Sequence, residues 1–215
     1  MPQLNGHAPS TGRRRGRPVG SDSAETRSRI LRAARRVINE RGYQAATFQA
    51  IAVTAGLSRP TLHYYFTSRE DIFDALLVDA SSVMADCIAK AQAHESLVDQ
   101  LSALVLAIHE VDGRDPSTVA FLVSARLEAS RNPELRYDGG ADMRGYLATL
   151  VEGAVDRGEL PEHVSAKSVV DLLHSMLWGM GFYAGFGEDS ANMREITKQL
   201  GRVFSHGLLG GVPVS

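Results

Sequence analysis

TFQAIAVTAGLSRPTLHYYF, Thr47 to Phe66, holds two short amphipathic runs on either side of one glycine. Thr47 can cap a helix whose inward face is Ile51, Ala52 and Ala55. Gly56 stands where a left-handed residue closes that helix, and Leu57 is expected to tuck beneath the turn. Ser58 can cap a second helix, and Pro60 falls in its first turn, where a missing N–H costs little. Helical spacing puts Leu62, Tyr65 and Phe66 on one inward arc. Pro60, Thr61, His63 and Tyr64 then point outward, with Arg59 beside them at the helix start. The pattern predicts a helix-turn-helix whose second helix presents unusual groups for a solvated face. A DNA major groove suits them: thymine methyls take apolar contacts, phosphates take hydroxyls, and guanine edges take arginine. The alternative is a plain helical hairpin with a coincidental Gly-Leu-Ser turn.

Around this core the rest of the chain reads as helix. Asp22 and Glu25 resemble a capping box for a first helix that carries Ile30, Leu31, Ala34, Val37 and Ile38 and ends at Gly42. A long helix starts near Ser68. Breakers then delimit helices over about 97–111, 117–131, 133–157, 165–186 and 192–208. No alternating β pattern and no internal repeat occurs. The expected fold class is all-α, with about nine helices. Three parts are expected: a disordered basic tail (1–21), a three-helix helix-turn-helix DNA-binding domain (22–67), and a helical domain (68–215).

Charge supports that division. Residues 1–70 carry 12 arginines against 4 acidic residues, while the remainder carries 11 basic against 21 acidic. Only the first part is therefore suited to a polyanion such as double-stranded DNA. The tail RRRGRP, Arg13 to Pro18, places Arg13, Arg14, Arg15 and Arg17 on a segment that proline keeps out of helix. R-G-R-P resembles an AT-hook, an extended strand that lies in the minor groove. Loose attraction to phosphates is the alternative.

Cys87 is the only cysteine, so no internal disulfide can form, and a cytoplasmic location is expected. The longest nearly uninterrupted apolar stretch, 176–187, is too short to span a membrane. No nucleophile elbow, phosphate-binding glycine loop or metal-ligand spacing is present, so no enzyme activity, cofactor or metal is expected. His109 beside Glu110, and His174, lack metal-ligand spacing and read as structural histidines.

From Arg29 to Leu77 the chain resembles the N-terminal domain of TetR-type (tetracycline-repressor-like) transcriptional regulators. The family pattern, roughly A-G-V-S-x-G-T-L-Y-x-Y-F-x-S-K-E, is followed at Ala55, Gly56, Ser58, Thr61, Leu62, Tyr65, Phe66, Ser68 and Glu70. Pro60 stands where glycine is common, His63 where a tyrosine is frequent, and Arg69 where lysine is usual. The resemblance implies DNA contacts by Thr47, Gln49, Arg59, Pro60, Thr61, His63, Tyr64 and Arg69. It also implies a homodimer, a small-molecule effector, and a C-terminal domain for effector binding and dimerisation. The function expected is a ligand-responsive regulator, a repressor released from a palindromic operator by a small apolar effector. The alternative is a constitutive or architectural DNA-binding protein without an effector.

Two further expectations concern the acidic part. Phe121, Met143, Tyr146, Trp178 and Phe182 are candidates to line an apolar cavity, although such residues at helical spacing also make plain core. Gly179, Gly181 and Gly185 crowd one helix, which suggests that another backbone approaches closely. That neighbour would be a partner subunit, or else a helix of the same subunit.

Overall fold

The computed structural model describes residues 19–135, 137, 141–161, 163–186 and 193–206. Among them lie nine α-helices and no strand: α1 (Val19–Arg41), α2 (Phe48–Ala55), α3 (Arg59–Tyr65), α4 (Arg69–Ala91), α5 (Leu97–Arg114), α6 (Pro116–Arg131), α7 (Ala141–Asp156), α8 (Ala166–Phe186) and α9 (Met193–His206). The arginines Arg13, Arg14, Arg15 and Arg17 lie outside the described residues.

The helix starts obey local chemistry. Thr47, Ser58, Ser68 and Ser96 each accept a hydrogen bond from the backbone N–H three residues on. At α4 the Asp71 carboxylate also reaches back to the Ser68 N–H, completing a capping box. Asp115 caps α6, whose first residue is Pro116.

Two expectations are corrected here. Helix α1 begins at Val19, so Asp22 sits in its first turn and is not its cap. The helix expected from Pro133 starts only at Ala141 among the described residues, and Pro133 to Leu135 form a turn. Proline disfavours helical backbone at the residue before it, and Asn132 accordingly leaves the helical region at φ −127°, ψ 86°. Leu135, only 6% exposed, then turns into the core. A 3₁₀ turn at Tyr43–Ala45 also joins α1 to α2. It follows Gly42, whose φ of 80° favours glycine.

Two apolar cores result. The first gathers Ile30, Ala34 and Val37 of α1, Ile51 and Leu62 of the helix-turn-helix, and Ile72, Phe73 and Leu76 of α4. It also takes in Phe121 and Ala125 of α6, which lie well along the chain. The second core joins the later part of α4 to α5, α7 and α8, centred on Leu104, Leu147 and Val151. Helix α6 thus serves both cores, since Val119 belongs to the second. Cys87 is buried there, and burial pushes its thiol above the ordinary range.

One polar cluster ties the cores together. Arg35 on α1 is buried; it donates to Asp79 of α4 at 2.7 Å, to Asp115 at 2.8 Å and to the Thr118 hydroxyl. Asn39 adds a bond to the Ser117 carbonyl at 2.9 Å. Burial opposes the charge on Asp115, but bonds from Ser117 and Thr118 and the Arg35 charge prevail and hold its carboxyl below the ordinary range.

The crowded glycines of α8 have an explanation within the subunit. A Cβ on Gly185 would stand 2.7 Å from the Ala120 Cα, and one on Gly181 would meet Val123 at 3.5 Å. Both therefore face α6 of the same subunit. Gly179 has nothing within 4 Å. We expect Gly185→Ala to destabilise the protein by about 1–2 kcal/mol, because backbone must move to admit the methyl. Gly145→Ala, with open space beside it in α7, should stabilise by about 0.5–1 kcal/mol through helix propensity. Urea denaturation of the two variants measures both, and equal signs would refute the close-approach reading.

Candidate nucleic-acid interface and interior cavity

The turn between α2 and α3 has the geometry that its residues require. Gly56 is left-handed at φ 62°, ψ 39°, and its N–H and that of Leu57 satisfy carbonyls at the end of α2. Leu62 and Phe66 are buried and Tyr65 half-buried, so α3 is anchored along one side. Arg59, Pro60, His63 and Tyr64 lie on its exposed side, and Tyr64 is 82% exposed. An aromatic ring so exposed buries almost none of its apolar area in the subunit.

The structure sorts the other predicted contact residues by their local partners. Thr47 is exposed, but its hydroxyl caps α2 by accepting the Ala50 N–H. Gln49 is exposed on α2. Thr61 is half-buried and its hydroxyl lies 2.7 Å from that of Ser58, so it is less free to project than its position on the helix suggests. His63 stacks on Phe48 with ring centroids 4.4 Å apart, which fixes the imidazole against α2. Arg69 lies over the Tyr43 ring at 4.1 Å, bonds to Gln44 and pairs with Glu70 at 3.5 Å. Its guanidinium is held in place before any partner arrives. The Tyr43 hydroxyl donates to Glu70, and burial pushes its pKa up to about 12.

A separate feature lies in the other half. A cavity of 70 Å³ is walled by Val119, Leu122 and Val123 of α6 and by His174, Leu177, Trp178 and Gly181 of α8. Met84, Ile108, Tyr137 and Met143 close it. A 20 Å³ cavity adjoins it, sharing Ile108, Val119, Leu177 and Gly181, and reaches His109 and Asp112 of α5. A wider cleft of 520 Å³ separates α5 from α9 and meets His109 from the other side. Trp178 Nε1 donates to His174 Nε2 at 3.0 Å. Burial, with the charges of Arg144 and Arg126, holds His174 below the ordinary imidazole value, so its ring proton sits on Nδ1.

Of the five residues expected to line a cavity, Met143 and Trp178 do so. The other three are elsewhere. Phe121 is fully buried in the first core against Phe73. Tyr146 is buried with its hydroxyl on Gln100, and burial pushes its pKa up to about 12. Phe182 is 56% exposed beside Phe186. Most of the lining is aliphatic and comes from separate helices, which no local pattern reveals. The one local signal was His174 and Trp178, four residues apart and so on one face of a helix.

A capped and glycine-closed helix-turn-helix, with an anchored second helix and a separate helical core, defines a helix-turn-helix DNA-binding protein. The family model for bacterial regulatory proteins of the tetR family matches residues 30–76. The transcriptional repressor AcnR of Corynebacterium diphtheriae is 34% identical over 151 residues, covering 61% of this chain and 80% of that protein. BepR, a transcriptional repressor of Brucella suis, is 27% identical over 172 residues, covering 76% of this chain and 82% of its own. The fold is shared with the Bacillus subtilis regulator FadR, solved in complex with stearoyl-CoA, at a TM-score of 0.66 and 15% identity, with 84% of this chain and 98% of that one covered. The chain belongs to the TetR family of DNA-binding transcriptional regulators.

The turn itself can be tested. A Cβ on Gly56 would meet nothing within 4 Å, so Gly56→Ala acts only through its left-handed backbone. We expect a loss of about 1–2 kcal/mol in unfolding free energy from urea titration. No loss would mean that the turn relaxes to another geometry.

Proposed function

We propose that this regulator is a homodimeric repressor released from a palindromic operator by a small apolar effector taken up between α6 and α8. One observation carries the reading. Helix α6 forms one wall of the interior cavity, and its first turn is bonded through Asp115 and Thr118 to Arg35 of α1. An effector too large for this cavity displaces the helices that wall it, α6 and α8 foremost. Movement of α6 would then reach α1 and the helix-turn-helix packed on it. Two recognition helices held at the wrong separation no longer fit successive major grooves. The stearoyl-CoA bound to FadR gives a precedent, on this fold, for an effector with a long apolar part.

A partner subunit has a suitable face to cover. Leu172, Met176, Gly179, Tyr183 and Phe186 follow one side of α8, where Leu172 is 60% and Phe186 42% exposed. An apolar strip of this kind suits a second copy of the chain. In the DNA-bound form Arg59 reads a base edge, with Pro60, His63 and Tyr64 beside it and Thr47, Gln49 and Thr61 at the margins. Arg69 meets phosphate, and the basic tail with Arg13, Arg14, Arg15 and Arg17 follows the neighbouring minor groove. The protein works in the cytoplasm and carries out no catalysis.

Arg59→Ala should lower affinity for the operator by about 1–3 kcal/mol and flatten its sequence preference. Fluorescence anisotropy on operator and scrambled DNA checks this, and equal losses on both would remove the base-reading role. Trp178 is the only tryptophan and stands in the cavity wall, so its emission reports occupancy directly. Effector should shift that emission in parallel with release of DNA. Gly181→Leu should fill the cavity beside Val123 and Val119, keep operator binding and dimerisation, and abolish both the shift and the release. A constitutive DNA-binding protein would instead hold its operator at every effector concentration that moves the Trp178 emission.

A further inference from the structure

The small cavity beside the main one contains an arrangement that stability alone does not explain. Asp112 is 6% exposed, and its Oδ1 is sealed from solvent without a hydrogen-bond partner. His109, one helical turn earlier on the same face of α5, has a buried Nδ1 that is equally unpartnered. Both residues line the 20 Å³ cavity whose four shared walls open onto the larger apolar one. Neither cavity is lined by lysine or arginine. Burial raises the Asp112 carboxyl above its ordinary value; the nearby His109 opposes this and Asp115 adds to it.

A buried carboxylate with an unmade hydrogen bond is costly. Native structures keep few such groups, and those they keep commonly have a ligand or a chemical role. We propose that the effector is an apolar molecule with a protonated amine, its ammonium held by Asp112 and His109 and its apolar body lying between α6 and α8. This rests on the effector reading above and assigns the ligand's chemical class.

The chemistry of the two anchors selects among ligands. The His109 tautomer with its proton on Nε2 offers Nδ1 as an acceptor, and the Asp112 carboxylate is an acceptor only. A head group that satisfies both atoms then donates at least twice. An ammonium has three donors and the charge that Asp112 lacks. A hydroxyl donates once and leaves the carboxylate uncompensated. A carboxylate or phosphate head would set negative charge against Asp112 with no lysine or arginine in the walls to balance it. In that respect the site differs from one suited to an acyl-CoA head group. His174 adds no charge of its own at the other end of the cavity, where the charges of Arg144 and Arg126 are felt, so the ammonium belongs at the Asp112 end.

The test uses the full-length protein, with Trp178 fluorescence and isothermal titration calorimetry as readouts. The probes are n-hexylamine, n-hexanol and hexanoate at pH 7 and equal ionic strength. Hexylamine should bind at least about tenfold tighter than hexanol, and hexanoate more weakly than either. Asp112→Asn should bring hexylamine to the level of hexanol without lowering the unfolding midpoint, since it removes a buried charge. His109→Leu should weaken hexylamine and leave hexanol unchanged. Hexanol or hexanoate binding as tightly as hexylamine would overturn the amine assignment and leave the effector reading standing. So would undiminished hexylamine binding by Asp112→Asn, and a lowered midpoint with that result would mark the carboxylate as structural. If none of the three probes binds and DNA affinity ignores them all, the effector reading falls as well.

Discussion

The guanidinium of Arg35 leaves water almost completely, with 7% of its side chain exposed, and the helices around it are arranged to receive its donors. Asp79 comes from α4, Asp115 from the α5–α6 junction and Thr118 from the first turn of α6. Burying a cation is favourable only when its hydrogen bonds are met in good geometry. The two carboxylates remain about half exposed, so the cluster contributes modestly to stability. Its larger effect is directional. Three helices from distant parts of the chain must keep one mutual placement for the charge to stay paired.

That placement shapes everything around α6. The helix gives Phe121 and Ala125 to the core beneath the helix-turn-helix, and Val119, Leu122 and Val123 to the cavity wall. Beside that wall α8 comes so close that only glycine fits at position 185, against the Ala120 backbone. Packed helices resist continuous deformation because interior atoms are already near crystalline density. A helix confined in this way moves as a unit or not at all. The cavity therefore borders two elements, α6 and α4, that touch both the DNA-reading part and the acidic core.

The interior also distributes its polar groups unevenly. Tyr146 is satisfied by Gln100, and Trp178 by His174. Along α5 the pattern breaks at His109 and Asp112, which point buried atoms at a cavity without a partner. Departures from full satisfaction within an otherwise consistent fold tend to mark places used for something besides folding.

Residues 47 to 66 determined the DNA-reading element by themselves, because each of its features is local. Capping by Thr47 and Ser58, closure at Gly56 and the inward arc of Leu62 and Phe66 span four residues or fewer, within reach of short-range hydrogen bonds and helical spacing. The helical class and most helix ends were legible for the same reason. What tertiary structure alone decided lies where distant segments meet. Phe121 and Phe182 look alike in sequence, yet one is sealed in a core and the other faces outward. The glycines of α8 announced a close neighbour but could not say that it was α6 of the same subunit. The cavity draws its walls from α4, α5, α6, α7 and α8, and Asp112 becomes an unpaired buried carboxylate only once those helices close over it. Periodicity tells a residue which side of its own helix it occupies; which helix lies opposite is settled by packing across the whole chain.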